Sequence, residues 1–240
     1  MRRALPLVAL LLLPACGGDP GPEPLVVFAA ASLTDAFTEL GAEYERAHPG
    51  ERVAFSFAGS QSLVAQVQQG APADLVATAD TASAQALADQ LDGAPQVLAR
   101  NRLAIVTAPG DPLGLAALAD LARPSVQVVL AGPSVPAGRA ARAALDEAGV
   151  SVRPVSEEPD VRAVVQRVAL GEADAGIAYA TDVAAADDRV DGTPLPGVSN
   201  AYPAGVVRGS ARRDRARAFL DLALSERGRA VLSSYGFLPP

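Results

Sequence analysis

Apolar residues occur along this chain in two alternating patterns, short continuous runs and longer stretches with helical spacing. The run at 25–28 predicts a buried strand, and the stretch at 33–47 predicts a helix whose apolar stripe contains Phe37, Leu40 and Tyr44. The same alternation continues towards the C-terminus. It predicts an α/β fold with largely parallel sheets, because strands that are separated by helices usually pair in parallel.

The other predicted elements follow from the same patterns and from the positions of glycine and proline. Strands are expected at 52–57, 73–78, 102–109, 126–132, 150–155, 174–180 and 202–207. Helices are expected at 63–69, 81–91, 139–149, 161–171 and 181–186. The C-terminal segment is expected to hold one long helix and a tail.

Two segments resemble each other, residues 66–80 and residues 167–182. Each runs from a helix through a glycine and an Ala-Asp pair into an apolar strand, and then reaches an aspartate that begins a further helix. We interpret this repeat as two halves that are built on one plan, with a cleft between them.

Composition and charge narrow the possible functions. Half of the 240 residues are apolar and a fifth are charged, as in soluble globular proteins. The net charge of −7 argues against a nucleic-acid partner, because phosphate binding needs a basic face. The single histidine, His48, precedes Pro49 and Gly50 at a predicted helix end, so a histidine-based triad or a zinc site has almost no basis.

The N-terminal residues have the pattern of a processing segment. Arg2 and Arg3 precede an apolar stretch that is too short to span a bilayer and that ends in "LPAC". This pattern is similar to a bacterial lipoprotein signal, which predicts a signal peptide at 1–15, a lipid on Cys16 and a flexible tether at 16–24. The alternative is an ordinary secretory signal in which the cysteine is incidental. Both predict an exported protein.

Four strand-to-helix joints share small or proline-restricted residues. They are "AAASLT" (29–34), "AGSQS" (58–62), "SVPAG" (134–138) and "EEPDVR" (157–162). In parallel α/β sheets such joints fall at the carboxyl ends of the strands, where ligands bind. A helix start presents unpaired N–H donors and about half a positive charge, which suits an anion. The alternative for any single joint is plain capping by serine, threonine or aspartate.

The donors at these joints would be backbone N–H and hydroxyl groups. A fully deprotonated tetrahedral dianion carries only acceptor oxygens and suits such a pocket, whereas a protonated phosphate also needs an acceptor. Fixed dipoles act locally, and surface charges are screened within about 8–10 Å, so an acidic protein can hold an anion. Asp160 is expected to cap its helix, and four further carboxylates are expected to be structural or capping, those of Asp74, Asp80, Asp174 and Asp182.

Seven stretches carry a resemblance to a known family. They are "VFAAASLTDAF", "FSFAGSQSLVAQVQQGAPADLVATAD", "NRLAIVTAP", "VPAG", "DVRAVVQRVALGEADAGIAYATDV", "YPAGVV" and "YGFLPP". These stretches span residues 25–240 and occur in the same order as in the family. They resemble the molybdate-binding proteins of bacterial molybdate ABC importers, which are type II periplasmic binding proteins. The resemblance implies a two-lobed α/β fold with mixed, mostly parallel sheets, helices on both faces and a ligand cleft between the lobes.

The resemblance also implies a set of site residues. In that family two hydroxyl residues of the first lobe, backbone amides of the second lobe and a tyrosine hydroxyl hold a dehydrated oxyanion. Carried over by motif, the ligand-binding residues are Ser32, Ser60, Ala137, Val161 and Tyr179.

Other positions near these motifs have separate expected roles. Gly59 stands where the family usually has a serine, and "AGPSVPAG" lacks the acidic residue expected before "VPAG". Ser62 could lend a second hydroxyl. Arg139 and Arg162 are expected to shape the local field or to meet the transporter rather than to contact the oxyanion.

We therefore expect lobe 1 to comprise 25–106 and 205–240, and lobe 2 to comprise 107–204. The expected function is capture of molybdate or tungstate and its delivery to the membrane permease of an ABC importer. We expect a monomer, tethered by its N-terminal lipid, with no enzymatic activity, no cofactor and no bare metal cation.

Two alternatives remain open. One is a protein of the same fold that binds another tetrahedral oxyanion such as sulfate, or an organic acid. The other is a secreted serine hydrolase that uses Ser32 or Ser60, although neither serine lies in a G-x-S-x-G turn.

Overall fold

The structure is a computed structural model and describes residues 23–240. The predicted signal peptide, Cys16 and most of the predicted tether lie outside the described residues. Within 23–240, no helix combines the length and the apolar character that crossing a lipid bilayer requires.

The strands of the described residues form one mixed sheet of eight. They are β1 (Leu25–Ala30), β2 (Val53–Ala58), β3 (Leu75–Ala77), β4 (Gln96–Thr107), β5 (Val128–Ala131), β6 (Ser156–Glu158), β7 (Ala175–Tyr179) and β8 (Asp191–Val206). Their order is β2-β1-β3-β8-β4-β7-β5-β6. β1 pairs in parallel with β2 and β3, and β5 pairs in parallel with β6 and β7. The predicted α/β class with mixed, mostly parallel pairing is confirmed.

Helices follow most of the strands and cover both faces of the sheet. They are α1 (Thr34–Ala47), α2 (Ser60–Gln68), α3 (Thr81–Gln85), α4 (Pro136–Glu147), α5 (Val161–Ala169), α6 (Ala180–Ala184), α7 (Arg213–Leu224) and α8 (Glu226–Ser234). A 3₁₀ turn at Ala31–Leu33 connects β1 to α1.

The two faces of β1 pack against different helices. Leu25 and Val27 belong to the main core together with Phe37 of α1, whereas Phe28 packs in a second cluster with Leu63 of α2. Successive strand residues point to opposite faces, and for this reason a strand that is covered on both faces has a continuous apolar sequence. The carboxyl end of β1 is consequently the part that can meet a ligand.

The long strands β4 and β8 join two groups of strands, which we call the first half-sheet (β1–β3) and the second half-sheet (β5–β7). β4 and β8 are antiparallel to each other; β8 also pairs with β3 and β4 also pairs with β7. The backbone therefore passes between the half-sheets along these strands. The lobe boundaries at 106/107 and 204/205 stay a prediction.

The structure corrects several of the predicted elements. The helix predicted at 81–91 ends at Gln85, and the strand predicted at 102–109 is β4, which begins at Gln96.

The strand predicted at 150–155 is wrong: this segment contains Pro154, which has no N–H to donate, and β6 begins only after it. The predicted single C-terminal helix is two helices, because Ser225 ends α7 and its side chain caps α8. β8 begins at Asp191, well before the predicted residue 202, since its pairing with β4 outweighs the prolines and glycines in between.

Candidate functional site

The carboxyl ends of β1, β2, β5, β6 and β7 meet at one small cavity. The structure places all five predicted ligand residues in its wall: Ser32, Ser60, Ala137, Val161 and Tyr179. The space that atoms leave unfilled, including the open mouth, is about 210 Å³. Groups from both half-sheets therefore face one volume of small size.

Three helices begin at this cavity. α2 begins at Ser60 and α4 at Pro136, so the predicted starts at 63 and 139 are wrong, and α5 begins at Val161 as predicted. The N–H groups of Ser60, Ala137 and Val161 have no hydrogen-bond acceptor within residues 23–240. Because the first N–H groups of a helix lack intrahelical partners, each helix brings a donor and a partial positive charge to the cavity.

Neither Ser32 nor Ser60 caps the helical segment in which it lies. Neither the 3₁₀ turn that contains Ser32 nor helix α2 has a side-chain cap in the described part of the chain. Asp160, in contrast, caps α5 as predicted, because its Oδ1 accepts the Ala163 N–H at 3.0 Å. Helix capping therefore explains the residue at the α5 joint. It does not explain the two serines, whose hydroxyl groups are not used as caps.

The Ser60 and Tyr179 hydroxyls each accept a hydrogen bond from an N–H group. The Ala79 N–H donates to Ser60 Oγ at 3.0 Å, and Asn200 Nδ2 donates to Tyr179 Oη at 2.7 Å. Neither hydroxyl donates to an acceptor within residues 23–240, although both side chains are buried. Each hydroxyl can therefore still donate one hydrogen bond to a ligand in the cavity.

The ionisation of Tyr179 favours the same role. Burial, followed by the charges of Tyr202, Asp182 and Asp80, raises the pKa of the Tyr179 hydroxyl well above its usual value of 10. Tyr179 is therefore a protonated donor at any physiological pH.

Ser32 is bonded to a residue that the sequence reasoning missed. Its Oγ lies 2.9 Å from Tyr202 Oη, and Tyr202 is fully buried and also accepts a hydrogen bond from Asn101 Nδ2 at 3.3 Å. One signal in the sequence could have found part of this group. The chain contains two asparagines, Asn101 and Asn200, and both touch a tyrosine at this site.

The position of Gly59 is explained by a close approach of the two half-sheets. A Cβ at this position would lie 2.5 Å from the carbonyl oxygen of Pro159, which precedes α5. Gln61 Nε2 donates to the same carbonyl at 2.9 Å. In this arrangement glycine leaves room for the close approach, and a side chain would move the two walls of the cavity apart.

Ion pairs connect the same two sides near the cavity. Arg139 of α4 binds Asp80, with Nε 3.0 Å from Oδ2, and Arg162 of α5 binds Asp35 of α1. Asp80 also caps α3 through the Ser83 N–H. Neither arginine lines the cavity, so their positive charges are directed to these carboxylates.

Asp182 differs from the other aspartates expected to be structural or capping, because neither of its carboxylate oxygens accepts a hydrogen bond within residues 23–240. It lies inside α6. Arg162 Nε is 3.6 Å away, beyond hydrogen-bonding distance. Burial raises the pKa of Asp182 to about 7, Arg162 opposes that rise, and the charges of Asp160 and Asp35 add to it. Asp74 and Asp174, as predicted, accept backbone N–H groups.

A larger open groove lies on the other side of Ser32. It has about 1070 Å³ of unfilled space and is lined by Asp35, Asp187 and Tyr235, among others. Two carboxylates make its wall unfavourable for an anion. Among the described residues, no three His, Cys, Asp or Glu side chains are grouped so that they could hold a metal ion.

Gly138 is the second glycine that the site requires. A Cβ there would lie 2.0 Å from the carbonyl oxygen of Gly132. Gly138→Ala should therefore displace the start of α4, lower the free energy of unfolding by about 1–3 kcal/mol, and weaken anion binding through Ala137. Urea unfolding and calorimetric titration measure the two effects. Gly132→Ala is the matched control, because its Cβ would make only ordinary contacts, 3.6 Å or longer; equal stability of the two variants would contradict this account.

Comparison with known proteins places this site in context. Residues 25–238 match the family model described as bacterial extracellular solute-binding protein. The molybdate-binding protein ModA of Mycobacterium tuberculosis is 40% identical over 229 residues, which are 93% of this chain and 88% of that protein.

Two solved structures have the same fold. The periplasmic molybdate-binding protein of Azotobacter vinelandii superposes with a TM-score of 0.78 at 21% identity, over 90% of this chain and 99% of its own. The sulfate-binding protein SubI of Mycobacterium tuberculosis gives a TM-score of 0.78 at 19% identity, over 90% of this chain and 86% of its own. At these identities the similarity concerns the fold alone.

Proposed function

The chain belongs to the bacterial extracellular solute-binding protein family, together with the molybdate-binding proteins, and from this premise we propose that it captures molybdate. The proposed ligands are the side chains or N–H groups of Ser32, Ser60, Ala137, Val161 and Tyr179. The molybdate anion is the cargo, and no covalent chemistry is involved.

One observation carries the proposal: the cavity contains several buried donors that lack acceptors in the protein. They are the hydroxyl protons of Ser60 and Tyr179 and the N–H groups of Ser60, Ala137 and Val161. A buried donor without an acceptor costs about 1–3 kcal/mol, so five of them at one place indicate a ligand that supplies the acceptors.

The chemistry of the donors selects the class of ligand. Molybdate at neutral pH is a tetrahedral dianion with four acceptor oxygens and no proton, and it can therefore satisfy all of these groups. Hydrogen phosphate has the same shape and carries an O–H, which needs an acceptor. The small size of the cavity also excludes a bulky organic acid. Tungstate has the same charge and shape as molybdate, and we propose that it binds as well.

The fate of the bound anion follows from the family. We propose that the protein acts as a monomer outside the cytoplasm and delivers molybdate to the permease of an ABC importer. A lipid on Cys16 would keep it at the membrane surface, close to that permease.

Sulfate is the second candidate ligand, because the sulfate-binding protein SubI shares the fold and sulfate is also a deprotonated tetrahedral dianion. The geometry gives no support to a serine hydrolase that uses Ser32. His48 follows the last residue of α1, and Ser32 precedes its first residue, so a helix of about 21 Å separates the base from the serine.

Thermal melting of the purified full-length protein tests the proposal. Molybdate at about 1,000 times its dissociation constant should add about 4 kcal/mol to the free energy of unfolding, and tungstate should act in the same way. Sulfate and phosphate at equal concentration should have a much smaller effect. A larger shift with sulfate would replace molybdate by the second candidate, and no shift with any dianion would exclude an oxyanion site.

A further inference from the structure

We propose that the hydroxyl protons of the cavity are aimed by a layer of positioning residues behind its wall. The members of this layer are Asn101, Asn200 and Tyr202. Because of these residues, the cavity would present only hydrogen-bond donors to a ligand. It would therefore select an oxyanion that carries no proton. The inference rests on the proposed function and deepens it.

The orientation of the Asn101 amide is fixed by the backbone. Its Oδ1 accepts the Arg102 N–H at 2.9 Å, so the other amide atom must be the nitrogen. That Nδ2 donates to Thr181 Oγ1 at 2.7 Å and to Tyr202 Oη at 3.3 Å. Both hydrogens of the amide are used in this way.

The Asn101 amide favours one direction for the next bond, in which either hydroxyl could donate on distance alone. Tyr202 Oη accepts from Asn101, and its own proton is then available for Ser32 Oγ, 2.9 Å away. Burial raises the pKa of Tyr202 above its usual value, so this proton is retained. When Ser32 Oγ accepts from Tyr202, the Ser32 proton points away from Tyr202 and is available to the cavity.

Asn200 acts on Tyr179 in the same way, and its orientation is also fixed. Its Nδ2 donates to the Ala79 carbonyl at 3.1 Å, which can only accept, and to Tyr179 Oη at 2.7 Å. The Ala79 N–H in turn donates to Ser60 Oγ. With Tyr202 as the donor to Ser32, all three hydroxyl oxygens of the site receive a donor from behind, and their protons are directed to the ligand.

A double-mutant cycle tests the connection between Tyr202 and Ser32. Tyr202→Phe should weaken molybdate binding about tenfold, since Ser32 then orients its proton freely, and Ser32→Ala should weaken it about 10- to 100-fold. In the Ser32→Ala background, Tyr202→Phe should change the dissociation constant by less than about twofold. An equal effect of Tyr202→Phe in both backgrounds would refute the connection, because a general structural effect does not depend on Ser32.

Tyr44→Phe is the matched control for this cycle. Tyr44 is equally buried, but its hydroxyl donates to Glu51, and the residue does not line the cavity. It should leave molybdate affinity unchanged. A loss equal to that of Tyr202→Phe would show that any buried tyrosine hydroxyl matters, and would overturn the specific role of Tyr202.

Asn101→Asp tests selectivity directly. The carboxylate can still accept the Arg102 N–H, but it must also accept from Tyr202, so the chain of bonds reverses and Ser32 presents a lone pair to the cavity. At pH 8.5 molybdate and hydrogen phosphate both carry two negative charges, and the added charge therefore penalises both. The ratio of their affinities isolates the effect of the phosphate proton.

The expected result is a fall of about tenfold or more in the preference for molybdate over phosphate. An unchanged ratio, in a variant that melts as the wild type does, would overturn the inference. If Asn101→Asp does not fold, the cycle with Tyr202→Phe decides alone, because that variant keeps the aromatic ring. Failure of the wild type to bind molybdate would refute the proposed function itself, whereas normal wild-type binding with additive mutations would refute only the positioning layer.

Discussion

Ser60→Asp should abolish molybdate binding, with a loss of affinity of about a thousandfold or more. The aspartate can still accept the Ala79 N–H, so the local backbone has the same support as before. Its carboxylate, however, would replace a buried donor with a negative charge inside the cavity, and juxtaposed like charges cost several kcal/mol. Isothermal titration calorimetry with molybdate measures the loss.

Ser62→Asp is the control for that experiment. Ser62 lies two residues further along α2, and it is not part of the cavity wall, which also answers the question of whether it could lend a second hydroxyl. Here the same charge sits outside the cavity and should weaken binding by no more than about tenfold. If both variants bind molybdate nearly as well as the wild type, the anion does not occupy this cavity.

Asp182→Asn should stabilise the protein at alkaline pH and have little effect at acidic pH. The pKa of Asp182 is raised from 3.8 to about 7, so the folded state holds this proton more tightly than the unfolded chain does. The wild type therefore loses stability as the pH rises from about 4 to about 7, and asparagine avoids that loss. The gain above pH 7 should reach roughly 4 kcal/mol.

Urea unfolding of both proteins at a series of pH values between 4 and 8 measures the difference. Asp221→Asn, at an exposed position of α7, gives the baseline for the same substitution. A difference that is constant across the series would mean that Arg162 keeps Asp182 ionised throughout.

Much of the site could be predicted because its parts are encoded locally. An apolar run followed by small residues and a helical pattern predicts the strand end and the approximate helix start, as after β1, whereas α2 begins three residues earlier than predicted. The approximate element positions then follow from periodicity, and the joints fall on one edge because the strands of each half-sheet are parallel. The exact helix starts could not be predicted from small residues, which suit a loop and a first helical turn equally.

The layer behind the cavity could not be predicted because its contacts are distant in sequence. Tyr202 reaches Ser32 across 170 positions, and Asn200 reaches Ala79 across 121. Tyr202 begins the strand predicted at 202–207, but Asn200 lies in the earlier part of β8, whose prolines and glycines indicate a loop when they are considered alone. Only the pairing of β8 with β4 makes that segment a strand, and such pairing is a tertiary effect.

Because the donors are divided between the two half-sheets, the spacing between the two groups of donors would depend on the radius of the bound ion. Ser32 and Ser60 follow strands of the first half-sheet, whereas Ala137, Val161 and Tyr179 belong to the second. An ion that contacts both groups sets the spacing between them, since hydrogen-bond lengths vary little. The shape of the outer surface would then depend on the size of the bound ion, and a partner that recognises that surface would distinguish a filled protein from an empty one.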